Sequence, residues 1–370
     1  MSKIKITGSQ FAITTSGFVF GSAPLLISSS VAVYAGQDAW LSAIFSTIIG
    51  LSIIWINTSL GGLYPDKTFI EVICLLLGKW LGKTVSITFI FVTFVTAIQV
   101  TWYVGDFITT TYLPEISTYP INILFLAVLA IAMIYGLEAM CRACTVFFIL
   151  IFPIYVLSLA MLIPNMHVTN LLPVFEKGIS PVLKGIIPLL SFTTFPTIVL
   201  NMVYPSNIEN LKKAKKSMFY GYLLGMIIAS IGILMCILVL GSNFTANSRF
   251  PLFILTQEIN VGTIFSRLEA VVIAVWLTTN FISTFFYFYA GTLGLSQLLK
   301  LNDYKKLVLP LVLIMAVFSR FIYKNVPYEI SWDTYVWAPV AFTAGFVLPV
   351  VLLLIYGVKK WLGKRKVVSE

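Results

Sequence analysis

The sequence predicts an all-α polytopic membrane protein with ten transmembrane helices in a five-plus-five inverted repeat. Three observations carry that prediction. The chain of 370 residues is 59% hydrophobic and only 10% charged, against about 25% charged in soluble domains. Its apolar residues fall into runs long enough to cross a bilayer, which takes about 20 residues each. The first and sixth runs are interrupted by glycine, proline and hydroxyl residues.

Taken in order, span 1 covers about Ser9–Val33 and span 2 about Ala39–Gly61. Span 3 is long, about Thr84–Tyr112, followed by Pro120–Gly136 and Thr145–Pro164. Span 6 covers about Pro181–Tyr204, span 7 Ser217–Gly241 and span 8 Leu268–Leu298. Span 9 is about Lys306–Tyr323 and span 10 about Asp333–Val358. The whole chain reads as a single membrane domain, with a first repeat at about 9–164 and a second at about 181–358. A basic tail, 359–370, follows.

Charge sets the expected orientation. With both termini in the cytoplasm, Lys177, Lys184, Arg249, Arg267, Arg320 and Lys324 fall outside, and the other 18 of the 24 lysines and arginines fall inside. Such a bias is the positive-inside signature of an even number of spans. The formal net charge of +10 therefore reflects topology and calls for no nucleic-acid partner. Membrane lipid is the expected surroundings.

The breaks carry the functional signal. Span 1 holds Gly17, Gly21, Ser22 and Pro24 at its middle, and span 6 holds Pro188, Ser191, Thr194 and Pro196. Glycine and proline weaken or remove helical hydrogen bonds. Freed backbone at membrane depth is tolerated where it is buried in protein or lines a wet cavity. Five spans are an odd number, so a second set of five that repeats the first must be inverted. Inverted repeats opening on broken helices define a transporter architecture with its site at the breaks. The spacing Gly17–Gly21 is also the form of a small-residue helix contact, as are Gly78–Gly82 and Gly221–Gly225.

Other chemistry is sparse. Cys141 and Cys144 have no second pair or histidine nearby, and the lone His167 reads as a loop residue. There is no nucleotide loop, nucleophile constellation or metal cluster in the pattern. The sequence therefore favours no enzyme, cofactor or metal. Glu138 and Arg142 read as a structural ion pair. Asp106 lies toward the outer end of span 3, and Arg267 and Glu269 open span 8. These three are vestibule or gating candidates, since ionisable residues in spans are functional by default. Segment 242–266 reads either as an outer gating or docking segment or, equally, as a short interfacial helix. No ionisable residue falls at the middle of spans 1, 6, 7, 9 or 10.

Short pieces spread over most of the chain point to a family. They include Lys5-Ile6-Thr7-Gly8-Ser9-Gln10, Gly36-Gln37-Asp38-Ala39-Trp40-Leu41 and Tyr64-Pro65 followed by Leu77-Gly78-Lys79-Trp80-Leu81-Gly82. Further along come Asn170-Leu171-Leu172-Pro173, Pro181-Val182-Leu183-Lys184-Gly185, Phe250-Pro251-Leu252-Phe253, Arg267-Leu268-Glu269 and Trp276. In this order and spacing they resemble the GerAB family of spore germination proteins, the B subunits of nutrient germinant receptors. The resemblance implies a LeuT-like fold within the amino acid–polyamine–organocation superfamily. It also implies a spore inner membrane location, A and C subunit partners and a small nutrient ligand, commonly an amino acid. A working amino acid permease and a scaffold subunit that binds no nutrient are the alternatives. The run Gly21-Ser22-Ala23 departs from the superfamily pattern, which often has a second glycine just after the first.

Broken backbone suits an amino acid. Half-helix N-termini offer N–H groups to a carboxylate, and freed carbonyls suit an ammonium. The ligand candidates at the breaks are Gly17, Gly21, Ser22, Ser191, Thr194 and Phe195. By the family resemblance, Thr96 on span 3 and Thr284 and Tyr287 on span 8 face the same cavity.

Overall fold

The structure, a computed structural model, describes residues 6–21, 23–257 and 269–368. Eight helical runs among them are long and apolar enough to cross a membrane. The chain is an integral membrane protein. Leucine, isoleucine, valine and phenylalanine cover its outside, as at Phe91, Leu124, Ile149 and Leu313, because lipid replaces water there.

Span 1 is two helices, α1 (Gly8–Phe20) and α2 (Ala23–Ala35). Thr7 caps α1 in a box with Gln10, which satisfies orphan N–H groups at that end. A short 3-10 turn at Gly36–Asp38 leads directly into α3 (Ala39–Gly61), so α2 and α3 form one continuous apolar run, Leu25–Gly61. A short helix missed by the hydropathy reading follows, α4 (Phe69–Leu77). Next come α5 (Lys79–Thr111), α6 (Thr118–Tyr135) and α7 (Leu137–Ala160). α7 starts eight residues before its predicted position, because Glu138 and Arg142 lower the hydropathy of its first turns. The exposed Glu138–Arg142 pair bonds across one turn of this extension.

Span 6 opens as α8 (Ser180–Leu189), loosens to a π turn at Leu190–Thr194 and tightens to 3-10 geometry at Phe195–Met202. α9 (Leu211–Leu240) is followed by two short helices within the predicted loop, α10 (Ser242–Asn247) and α11 (Pro251–Gln257). α12 (Glu269–Leu298) and α13 (Lys305–Phe318) complete spans 8 and 9. At 14 residues α13 is shorter than the eight spanning runs.

Span 10 begins seven residues earlier than predicted. It runs through α14 (Val326–Trp332), a π turn at Asp333–Trp337, α15 (Ala338–Phe342), a π turn at Thr343–Val347 and α16 (Leu348–Val368). Asn325 caps it by accepting from the Tyr328 N–H at 2.9 Å, with Pro327 in the first turn. That cap and proline mark a helix start. Glu329 and Asp333 depress hydropathy there, which displaced the predicted start.

Span 6 lies deepest in the bundle. In span 6, 72% of the most apolar stretch is buried, against 22% in span 10. α1 packs on α9, α12 and α7, while α2 packs on α8. The α1–α9 contact uses the Gly221–Gly225 pair. A Cβ on Gly221 would lie 2.3 Å from the Ala12 carbonyl, and one on Gly225 2.9 Å from that of Ser16. Small residues here let two backbones touch. At the end opposite α10, Ile6 pairs with the segment after span 6, its N–H donating to the Asn207 carbonyl at 2.8 Å.

Candidate ligand site at the helix breaks

Gly21 ends α1 at φ 29 and ψ −125. A side chain there would be strained, and a Cβ would lie 2.6 Å from the Ser283 hydroxyl and 2.8 Å from the Phe18 carbonyl. The break frees carbonyls, and α12 supplies donors to them. Thr279 donates to the Gly21 carbonyl at 3.0 Å and Ser283 to that of Phe18 at 3.3 Å. Neither hydroxyl was singled out from the sequence. Their four-residue spacing, which puts both on one helix face, is the signal that could have found them.

Span 6 handles its freed groups with its own hydroxyls. Ser191 donates to the Pro188 carbonyl at 2.9 Å, Thr193 to Leu189 at 2.7 Å and Thr197 to Thr194 at 2.6 Å. The Thr194 hydroxyl also lies 3.0 Å from the Tyr222 hydroxyl of α9. Further along, Asn201 donates to the Asn57 carbonyl at 3.0 Å.

The expected site residues divide into groups. Gly17 and Gly21 lie along the face of α1 turned to α12, where a Cβ on Gly17 would meet Ile282 at 2.7 Å. Tyr287 joins them through Phe18, with ring centroids 5.3 Å apart. Ser191 and Thr194 lie on the π turn, which contacts α1. Phe195 turns instead to span 10, its ring 5.5 Å from that of Phe342. Thr96 lines an apolar groove of about 540 Å³ between α5, α13 and span 10. Phe91, Ile314 and Phe318 on that groove's rim are exposed, so it faces lipid. Thr284 bonds back to the Asn280 carbonyl of its own helix. Ser22 and Arg267 lie outside the described residues. Glu269 is the first residue of α12.

Room for a ligand lies toward the α10 end. Beside Gly17 the free space is only about 50 Å³, lined by Ser16, Phe20, Cys144, Thr279 and Ile282 among others. A cavity of about 330 Å³ lies between α2, the π turn residue Phe192, the Asn247–Arg249 segment and the start of span 10. Its polar wall includes Ser29, Ser30, Arg249, Glu329 and Asp333.

A charged network backs this cavity. Nη2 of Arg249 lies 2.6 Å from Oδ2 of Asp106 on α5 and 3.3 Å from Oε2 of Glu329 on α14. Asp333 accepts from the Tyr103 hydroxyl at 2.8 Å and from that of Tyr323 at 3.2 Å. Gln99 donates to the Tyr323 hydroxyl at 2.8 Å. Glu329 and Asp106 are buried, and burying a carboxylate costs heavily unless it is paired. Of these residues the sequence pointed only to Asp106 and, within its loop, Arg249. The missed signal is two polar stripes, Gln99-Tyr103-Asp106 and Glu329-Asp333, each at helical spacing.

A helical membrane bundle whose two broken helices flank a polar cavity has a transporter-type fold. Mhp1, a nucleobase-cation-symport-1 family transporter, solved in a closed conformation with bromovinylhydantoin bound, has the same fold. It superposes with a TM-score of 0.67 over 95% of this chain and 78% of that one, at 13% identity. The family is more specific. Residues 5–327 match the family model described as spore germination protein, of the spore permease type, and the chain belongs to that family. Spore germination protein KB of Bacillus subtilis (strain 168) is 26% identical over 327 residues, covering 88% of this chain and 87% of that one. Spore germination protein YndE of the same strain is 27% identical over 308 residues, covering 80% and 82%. The family is one of receptor- or transporter-type membrane proteins, not of enzymes.

Proposed function

We propose that this chain is the membrane subunit of a spore germinant receptor and binds a small nutrient, an amino acid in the first instance. The observation that carries this reading is a cavity of about 330 Å³ lined by α2, the half of span 1 that follows the Gly21 break, and by Phe192 of the π turn Leu190–Thr194. The nutrient enters through that cavity and reaches the breaks at Gly17, Gly21, Ser22, Ser191 and Thr194, with Tyr287 behind them. Binding there stabilises one arrangement of the broken spans over another. A ligand shifts such an equilibrium only by its differential affinity for the two states. The spore inner membrane is the proposed location, with both termini on the core side and A and C subunits as partners. The response they pass on is germination, through ion release. The second reading is an amino acid permease, which the transporter fold favours. In both, the chain forms one domain of two five-span repeats.

Purified chain in nanodiscs, titrated with amino acid, sugar and nucleoside pools, tests the binding step. Saturable binding of one pool, lost in Ser191→Ala with Thr194→Val, supports the site. Absence of binding by folded protein from all three pools favours the scaffold reading. Proteoliposome uptake of whichever pool binds then separates permease from receptor.

A further inference from the structure

Arg249 touches both walls of a seam. On one side are Asp106 and Trp102 of α5, with the guanidinium 2.6 Å from the Asp106 carboxylate and 6.0 Å from the Trp102 ring. Its neighbour Phe250 is fixed to the same side, its ring 4.9 Å from that of Phe107. On the other side is Glu329 of α14 at 3.3 Å. The cavity of about 330 Å³ is lined by Arg249 and Glu329 together. Three features make the two contacts unequal. The Asp106 contact is the shorter. Arg249 is held to α5 by ring contacts as well as charge. α5 is one continuous helix of 33 residues, whereas α14 has 7 residues before its π turn. A π turn interrupts regular helical bonding and is a place where a helix bends. Asp333, the first residue of that turn, is pinned by the hydroxyls of Tyr103 and Tyr323.

We propose that Arg249 and Glu329 form the latch of the cavity. The latch opens by parting Glu329 from Arg249, with the Val326–Trp332 tip swinging about the pinned Asp333. Arg249 stays with Asp106 throughout. The two bonds of one guanidinium thus have different roles: the Asp106 bond anchors and the Glu329 bond opens. The proposal rests on the reading that ligand passes through this cavity, but its test needs no ligand.

Ser30 lies on the cavity wall. In full-length protein in membranes, Ser30→Cys is labelled with a membrane-impermeant thiol reagent, and the parent chain gives the background from its own four cysteines. Glu329→Gln is expected to raise the labelling rate about tenfold, as a latch that holds a minor open state does. Asp106→Asn weakens the anchor but leaves the Arg249–Glu329 contact in place, with Arg249 still held to α5 by the Trp102 and Phe250 ring contacts, so a rise of no more than about twofold is expected. Equal acceleration by both variants overturns the division of roles, and no acceleration by Glu329→Gln overturns the latch. Should Glu329→Gln fail to fold, Arg249→Gln gives the first comparison: faster labelling supports the latch and an unchanged rate overturns it. A latch confirmed in protein that binds no nutrient would sink the proposed function and leave the latch standing.

Discussion

The hydroxyl of Tyr222 lies 3.0 Å from that of Thr194, and 3.4 Å from the Ser46 carbonyl. One side chain from α9 thus ties the π turn of span 6 to α3. Its ring passes so close to α3 that a Cβ on Gly50 would lie 1.7 Å from the Tyr222 oxygen. Tyr222→Phe removes the bond and keeps the ring. It is expected to lower stability by about 1 kcal/mol, read as a drop in melting temperature. Gly50→Ala is expected to cost more, because the ring has to leave its place. An unchanged melting temperature in both would show that the turn does not depend on this tie.

The Gly21 break makes a graded prediction. Gly36 also has positive φ, at 56, but has nothing within 4 Å of a new Cβ. Gly36→Ala pays only for its backbone conformation, about 1–2 kcal/mol. Gly21→Ala adds contacts at 2.6 and 2.8 Å to that strain. Melting temperatures of the two purified variants should fall in the order Gly36→Ala above Gly21→Ala. The reverse order would mean that the break relaxes freely.

The carbonyls freed at the break are satisfied from α12. Thr279→Val removes the donor to Gly21, and Ser283→Ala the donor to Phe18. Each leaves a buried acceptor without that partner, which costs about 1–3 kcal/mol. The double variant is expected to be less than additive, since both donors serve one short stretch of backbone. Full additivity in thermal unfolding would show two independent bonds.

Gly221→Ala should be more damaging than its size suggests. The new Cβ meets the Ala12 carbonyl at 2.3 Å, and a backbone atom in a packed helix has nowhere to go. Overpacking of this kind costs about 1–3 kcal/mol. Gly232→Ala on the same helix, with its nearest contact at 3.5 Å, is the matched control. Yield and melting temperature of the pair check the prediction, and equal values would remove the α1–α9 contact from the explanation.

Much of the architecture was legible as hydropathy, and so were the breaks. Gly21 just before Pro24, and Pro188 and Pro196 flanking the π turn, favour a break near them whatever surrounds them. The span 10 start was not legible that way, because Glu329 and Asp333 lower the same average that marks a span. Only the Asn325 cap and Pro327 could have corrected it. Cys141 and Cys144 are buried in α7.

The sequence by itself determined the class of protein, most of its long helical runs and the breaks in spans 1 and 6. Those properties follow from local composition and from the cost of placing polar backbone in lipid. Tertiary structure alone decided which side chains share a space. It turned Phe195 and Thr96 toward span 10, brought Thr279 and Ser283 to the break, and joined Asp106 to Glu329 through a loop arginine. Partners 80 or more residues apart leave no local signal, because their meeting depends on how separate helices pack.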